Sequence, residues 1–200
     1  MSTSAPRTRR RADAERSIAR IVAAARERLS ADPNASTEDI ARAAGVGRMT
    51  LYGHFHDRTE LVEAALTETL RAGEEVLRDV DLTGDPREVL RNLLGSSWTL
   101  VAESASLLAA ADGVVPDSRL RELHEDPARR LEELLRRGQL EGVFRVDLPL
   151  PWLVSAIHYL LHGAASEVRA GRLPASDAAE IVTRTVESVV LPASGADRDE

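Results

Sequence analysis

Ser36 to His56 reads Ser-Thr-Glu-Asp-Ile-Ala-Arg-Ala-Ala-Gly-Val-Gly-Arg-Met-Thr-Leu-Tyr-Gly-His-Phe-His, the pattern of two short helices joined by a tight turn. Ser36 suits the first N-cap, because its hydroxyl can accept the amide of Asp39, whose carboxylate in turn favours the positive helix N-terminus. The helix is expected over residues 37–44, with Ile40, Ala43 and Ala44 on one face, and stops at Gly45, which is free to take the left-handed conformation that ends helices. A second helix over residues 48–55 turns Leu51 and Phe55 inward beside Val46. Arg48, Met49, Thr50, Tyr52 and His54 are left outside. That outer face is basic and hydroxylic. Arg48 can reach guanine, Met49 a thymine methyl, and the others phosphate oxygens, which is what a helix entering the major groove of DNA requires.

The stretch closely resembles the DNA-binding motif of TetR-family transcriptional regulators. The resemblance is carried by Thr37, Ile40-Ala41, Ala44-Gly45-Val46, Thr50-Leu51-Tyr52, and by His54 four residues before Arg58 with Phe55 between them. It implies that Arg48, Met49 and Thr50 lie at base edges while Thr37, Tyr52, His54 and Arg58 hold the phosphate backbone. Two positions depart from the family pattern. Gly47 stands where a serine or threonine usually caps the recognition helix, and Gly53 where a larger polar residue is common; glycine inside a helix costs roughly 1 kcal/mol relative to alanine.

Two hundred residues with 43% apolar content suffice for one small and one larger domain. Cysteine is absent, so disulfides and thiolate metal sites are excluded. The basic N-terminus has no apolar segment after it and apolar runs are short, so neither a signal peptide nor a membrane span is expected, and the chain reads as cytoplasmic. The net charge of −7 is unevenly spread. Residues 1–58 carry 11 Arg against 7 acids, or +4, and the remainder 15 Arg against 26 acids, or −11. A basic end beside an acidic body suits a molecule that meets phosphate at one end only.

Along the chain, residues 1–12 are expected to be a disordered basic arm, either lying along DNA or simply solvated. Residues 13–58 form the helix-turn-helix domain, with the motif at 37–56. Its first helix, over 13–29, directs Ile18, Ile21, Val22, Ala25 and Leu29 inward. Asp57 and Glu60 form a capping box for a fourth helix whose apolar stripe runs from Leu61 through Val76 and Leu77. Asp85-Pro86 opens a fifth, with a shorter helix over 104–111 after it. Residues 120–138 are helical with a break expected at Asp126-Pro127, residues 142–149 form a loop, residues 151–170 form a helix apolar nearly all round, and Ser176 caps the last helix. The expected fold is all-α with about nine helices: a three-helix DNA-binding domain, a larger ligand-binding and dimerisation domain over 59–191, and a disordered tail at 192–200.

The last two long helices present more apolar surface than one chain can cover, and a two-fold homodimer is the simplest remedy. Val154, Leu161, Ala165, Val168, Val182, Val186 and Val189 are the expected interface, in keeping with how the resembled family dimerises. Trp98, Glu103, His124, His158, Tyr159 and His162 are the few polar groups on the otherwise apolar helices of the larger domain and are the pocket candidates, the resemblance implying an apolar cavity there for a small effector. His158 and His162 are four apart, but Tyr159 stands where His-Glu-x-x-His enzymes have glutamate and no third ligand is evident; no metal, no cofactor and no catalytic residue is expected. The sequence thus points to a dimeric regulator, read as a repressor, released from a palindromic double-stranded operator by a small, mostly apolar ligand of unknown identity. The alternatives are a ligand-independent DNA-binding protein whose larger domain serves only dimerisation or a protein partner, and a small helical enzyme using His158, His162 and Glu103.

Overall fold

Residues 5–192 are described in the computed structural model. Among them run nine helices: α1 (Ala5–Ala31), α2 (Thr37–Ala43), α3 (Arg48–His54), α4 (Arg58–Arg78), α5 (Pro86–Ala111), α6 (Asp117–Leu123), α7 (Glu125–Leu140), α8 (Leu150–Arg169) and α9 (Ala175–Val190). No strand occurs among the described residues, in keeping with the all-helical expectation.

The chain divides into two compact units, Met1–Arg71 with Ser106–Leu120, and Ala72–Ala105 with Arg121–Glu200. The first is therefore larger than the span 13–58 expected from sequence. The buried side chains of Leu61, Val62, Ala65 and Leu66 draw the first half of α4 into it. Arg26 of α1 donates to Thr69 Oγ1 at 3.1 Å. In α1 the buried stripe is Ile21, Ala24, Ala25 and Leu29, whereas Ile18, expected inside, is 39% exposed. The helix also begins at Ala5, so the part of the arm from Ala5 to Ala12 is helical backbone rather than disordered chain. The rest of the arm, and the tail beyond Pro192, lie outside the described residues.

In the second unit, Leu90, Leu93, Leu94 and Trp98 of α5, Leu134 and Leu135 of α7, Leu153, Ile157 and Leu161 of α8, and Val182, Val186 and Val190 of α9 share one core. The short link from Ala170 to Pro174 brings α9 back against α8. Helix α5 is continuous where a second helix starting at Ser104 was expected: the buried Ser104 hydroxyl donates to Leu100 O at 2.7 Å within the same helix. By length and composition α5 could cross a membrane, its most apolar window having a mean hydropathy of 1.2. Its apolar residues Leu90, Leu93, Leu94, Trp98 and Leu107 are nevertheless buried inside the protein, which makes it a core helix.

The expected break at Asp126-Pro127 falls at His124 instead. Pro127 occupies the third position of α7, where the amide has no helical acceptor to lose, so the ring is tolerated. Ser176 does not cap α9; its hydroxyl bonds Asp177 Oδ1 at 2.7 Å, and the extended residue Pro174 holds the cap position. Val76, expected in the stripe of α4, is exposed. Beyond the end of α7, Gly142 (φ +73°) permits the turn in which Val143 N donates to Gly138 O at 2.8 Å. The loop after it drops Phe144 into the core against Gly138 and ties itself to α9 through Arg145 N, which donates to Val190 O at 2.8 Å.

Candidate nucleic-acid interface and the histidine cluster

The turn between α2 and α3 is built by local chemistry. Ser36 Oγ accepts the Asp39 amide at 3.1 Å and donates to its carboxylate at 2.6 Å. These bonds hold the Asp39 carboxyl below its usual range, helped by Arg42. At the other end of α2, Gly45 (φ +65°) lets Val46 N reach Ala41 O at 3.0 Å and its own N reach Arg42 O at 3.1 Å. This paired closure satisfies two terminal carbonyls and reverses the chain. Helix α3 then starts from Gly47 without a side-chain cap, as the missing hydroxyl implied.

Leu51 is fully buried and Phe55 nearly so, which fixes the rotation of α3. Arg48, Met49 and Thr50 consequently face solvent, Met49 at 85% exposure. The Tyr52 hydroxyl lies 3.1 Å from Thr37 Oγ1 and so links the outer edges of α2 and α3. The Arg48 guanidinium carbon sits 5.5 Å from the centroid of the Tyr52 ring. Thr37 and, secondarily, Arg48 lower the Tyr52 phenol from its ordinary value. Five of the expected DNA-facing side chains, Thr37, Arg48, Met49, Thr50 and Tyr52, are thus outward or at the rim. His54 is half-buried as the last residue of α3.

Arg58 differs from its expected role. Its guanidinium is turned into the protein, donating to Pro33 O at 2.8 Å and to Ala35 O. It therefore clamps the turn between α1 and α2 to the start of α4. Beside it, Asp57 Oδ1 accepts the Glu60 amide at 2.9 Å, and Glu60 reaches back to the His56 amide at 2.7 Å, so the capping pair closes one residue earlier than the simple box.

In the second unit, Trp98 is core, but Glu103 and Tyr159 are exposed, Tyr159 at 70%. Neither belongs to an interior pocket. His124, His158 and His162 do come together, with ring centroids 4.8 Å (124 to 158), 5.5 Å (124 to 162) and 4.1 Å (158 to 162) apart. Burial, followed by the neighbouring imidazoles, pushes His158 down to about 4 and His162 to about 3, so both rings are neutral at neutral pH. The third ring is His124, also a candidate from the sequence, which is brought in from the joint of α6 and α7. Of the expected dimer residues, Leu161, Ala165, Val182 and Val186 are buried in the chain's own core and are not free to meet a partner. The side chains that α8 and α9 leave outside include Trp152, Tyr159 and Ile181.

An all-helical chain with this turn and this outward face is a helix-turn-helix protein. Residues 21–65 match the family model of the bacterial regulatory proteins, tetR family. It is 27% identical over 166 residues, 80% of its length and 84% of the relative's, to the HTH-type transcriptional regulator NfxB of Pseudomonas aeruginosa. It is 23% identical over 177 residues, 88% of its length and 92% of the relative's, to the HTH-type transcriptional repressor LfrR of Mycolicibacterium smegmatis. The crystal structure of LfrR in complex with proflavine aligns with 90% of this chain and 98% of its own at a TM-score of 0.67 and 22% identity. A TetR-family regulator from Agrobacterium tumefaciens aligns with 90% of this chain and all of its own at a TM-score of 0.70 and 20% identity. The named relatives are regulators of transcription, not enzymes.

Proposed function

We propose that the chain is a cytoplasmic repressor that binds a palindromic operator as a homodimer and leaves it when a small, mostly apolar ligand enters the second unit. The observation that carries the DNA-binding part is the orientation of α3: Leu51 is sealed inside while Arg48, Met49 and Thr50 stand in solvent beside a Tyr52 tethered to Thr37. Two such helices on one duplex must lie about 34–36 Å apart to enter successive major grooves. Release follows when a ligand favours an arrangement in which that spacing is lost.

The ligand part is supported by the likeness to LfrR, a repressor seen with the aromatic molecule proflavine. The dimer part is supported by the apolar side chains left outside on α8 and α9, Trp152, Tyr159 and Ile181. The test is selection of random duplexes by the pure protein, followed by gel shift of the enriched sequence with and without a panel of aromatic ligands. A two-fold symmetric consensus and loss of the shift on adding a ligand are expected. Failure to enrich any sequence would overturn the proposal, and an enriched operator that every ligand leaves bound would leave the second unit a dimerisation module only.

A further inference from the structure

We propose that His124, His158 and His162 bind one divalent ion of the zinc and cobalt class through their three imidazoles. The placement of the rings is the first argument. His158 and His162 are one helical turn apart on α8, so they share a face. His124 reaches them from the residue at which α6 ends and α7 begins. One ligand nitrogen from each ring can be chosen so that all three lie within 4.8 Å of one another. Zinc–nitrogen bonds of about 2.0–2.1 Å in a tetrahedron put ligand nitrogens roughly 3.3 Å apart, so the rings need close by only about 1.5 Å at the widest pair. Rotation of imidazoles that stand edge to face, at interplanar angles of 80° and 87° to His124, supplies such a movement without shifting a helix.

The second argument is polar satisfaction. A partly buried imidazole normally finds a hydrogen-bond partner. Among the described residues, His158 and His162 instead have ring contacts: His124 for both, each other, and Tyr159 for His158. Packing alone would be served by hydrocarbon at these positions. Three imidazole nitrogens, with no carboxylate in the group among the described residues, suit a borderline ion such as Zn²⁺, Co²⁺ or Ni²⁺, and do not suit Mg²⁺ or Ca²⁺, which take oxygen ligands. With three protein ligands, the fourth position is open to water or to a donor atom of a small molecule.

The proposal stands apart from the regulator reading, since binding is measured without DNA. Tag-free protein is stripped with chelator and titrated with Zn²⁺ by calorimetry and with Co²⁺ by visible absorption. One ion per chain is expected, with Co²⁺ bands of a nitrogen-ligated, low-coordination site and no response to Mg²⁺. His124→Ala, which leaves α8 intact, and the pair His158→Gln with His162→Gln should each weaken Zn²⁺ by at least about tenfold. His56→Gln, on an exposed histidine elsewhere, should not. Circular dichroism establishes folding of each variant, and His124→Ala decides alone if the double variant does not fold. Absence of stoichiometric Zn²⁺ binding, or binding that His124→Ala leaves unchanged, would overturn the site.

Discussion

Arg48 has little to lose by substitution except what it touches outside the protein. It is exposed, and its guanidinium carbon lies 5.5 Å from a Tyr52 ring that is itself held by Thr37. Arg48→Ala should leave the fold intact, weaken operator binding by about 1–3 kcal/mol and relax specificity at one position, read by gel shift against singly substituted operators. Arg58 behaves oppositely. With its guanidinium spent on the carbonyls of Pro33 and Ala35, Arg58→Ala should lower the melting temperature of the free protein. A residue serving mainly as a phosphate contact would leave that temperature unmoved and reduce the salt slope of binding by about one. Thr37 can be tested without DNA. Its hydrogen bond is the main cause of the lowered Tyr52 phenol, so Thr37→Val should raise that phenol's titration midpoint in ultraviolet difference spectra. An unmoved midpoint would mean that the bond between α2 and α3 is not kept in solution.

Helices in this chain were legible where their signals are local and obscure where a partner arrives from far along the sequence. The Ser36 cap, the Gly45 reversal and the inward Leu51 all depend on residues a few positions apart, and each could be read from the string of letters. No periodicity revealed that Phe144, in a loop, lies against Gly138 of α7, because a loop aromatic has no register. A Cβ at Gly138 would stand 2.1 Å from Phe144 Cδ2. Gly138→Ala therefore pits a helix-propensity gain of roughly 1 kcal/mol against the displacement of a buried ring. The clash should win, because Phe144 is 2% exposed and has nowhere to go. A net loss of about 1–2 kcal/mol in urea unfolding is expected, and a gain in stability would mean that the ring can move. Glu74 of α4 and Arg130 of α7 are another long-range pair, with side chains only 12% and 14% exposed. Glu74→Gln leaves that guanidinium without its anion, and the cost should approach the lower end of the roughly 3–5 kcal/mol seen when one member of a buried pair is removed.

At the scale of the whole molecule, period alone could say that α8 and α9 are apolar but not which side of each faces inward. Leu161, Ala165, Val182 and Val186, expected at the subunit interface, are instead core, because apolar spacing marks a face as buried without saying whether the same chain or a partner buries it. What remains outside is Trp152, Tyr159 and Ile181, together with a shallow hollow lined by Ile181, Arg184, Thr185 and Ser188. Gly163, one turn beyond Tyr159, has open space where a side chain would stand, so a partner helix could approach the backbone of α8 closely there. Charge is divided between the two parts of the sequence as well: residues 1–58 sum to +4 and the remainder to −11. Pairing through α8 and α9 uses side chains outside the basic span 1–58 and so consumes none of its arginines. An arginine placed in the contact would have to bury an unpaired charge, whereas in a monomer it would merely be solvated. Tyr159→Arg with Ile181→Arg should therefore halve the mass measured by light scattering without loss of helicity. It should also abolish tight operator binding, because one recognition helix reads only a half-site. A doubly substituted protein that kept the dimer mass would show that the two copies meet elsewhere.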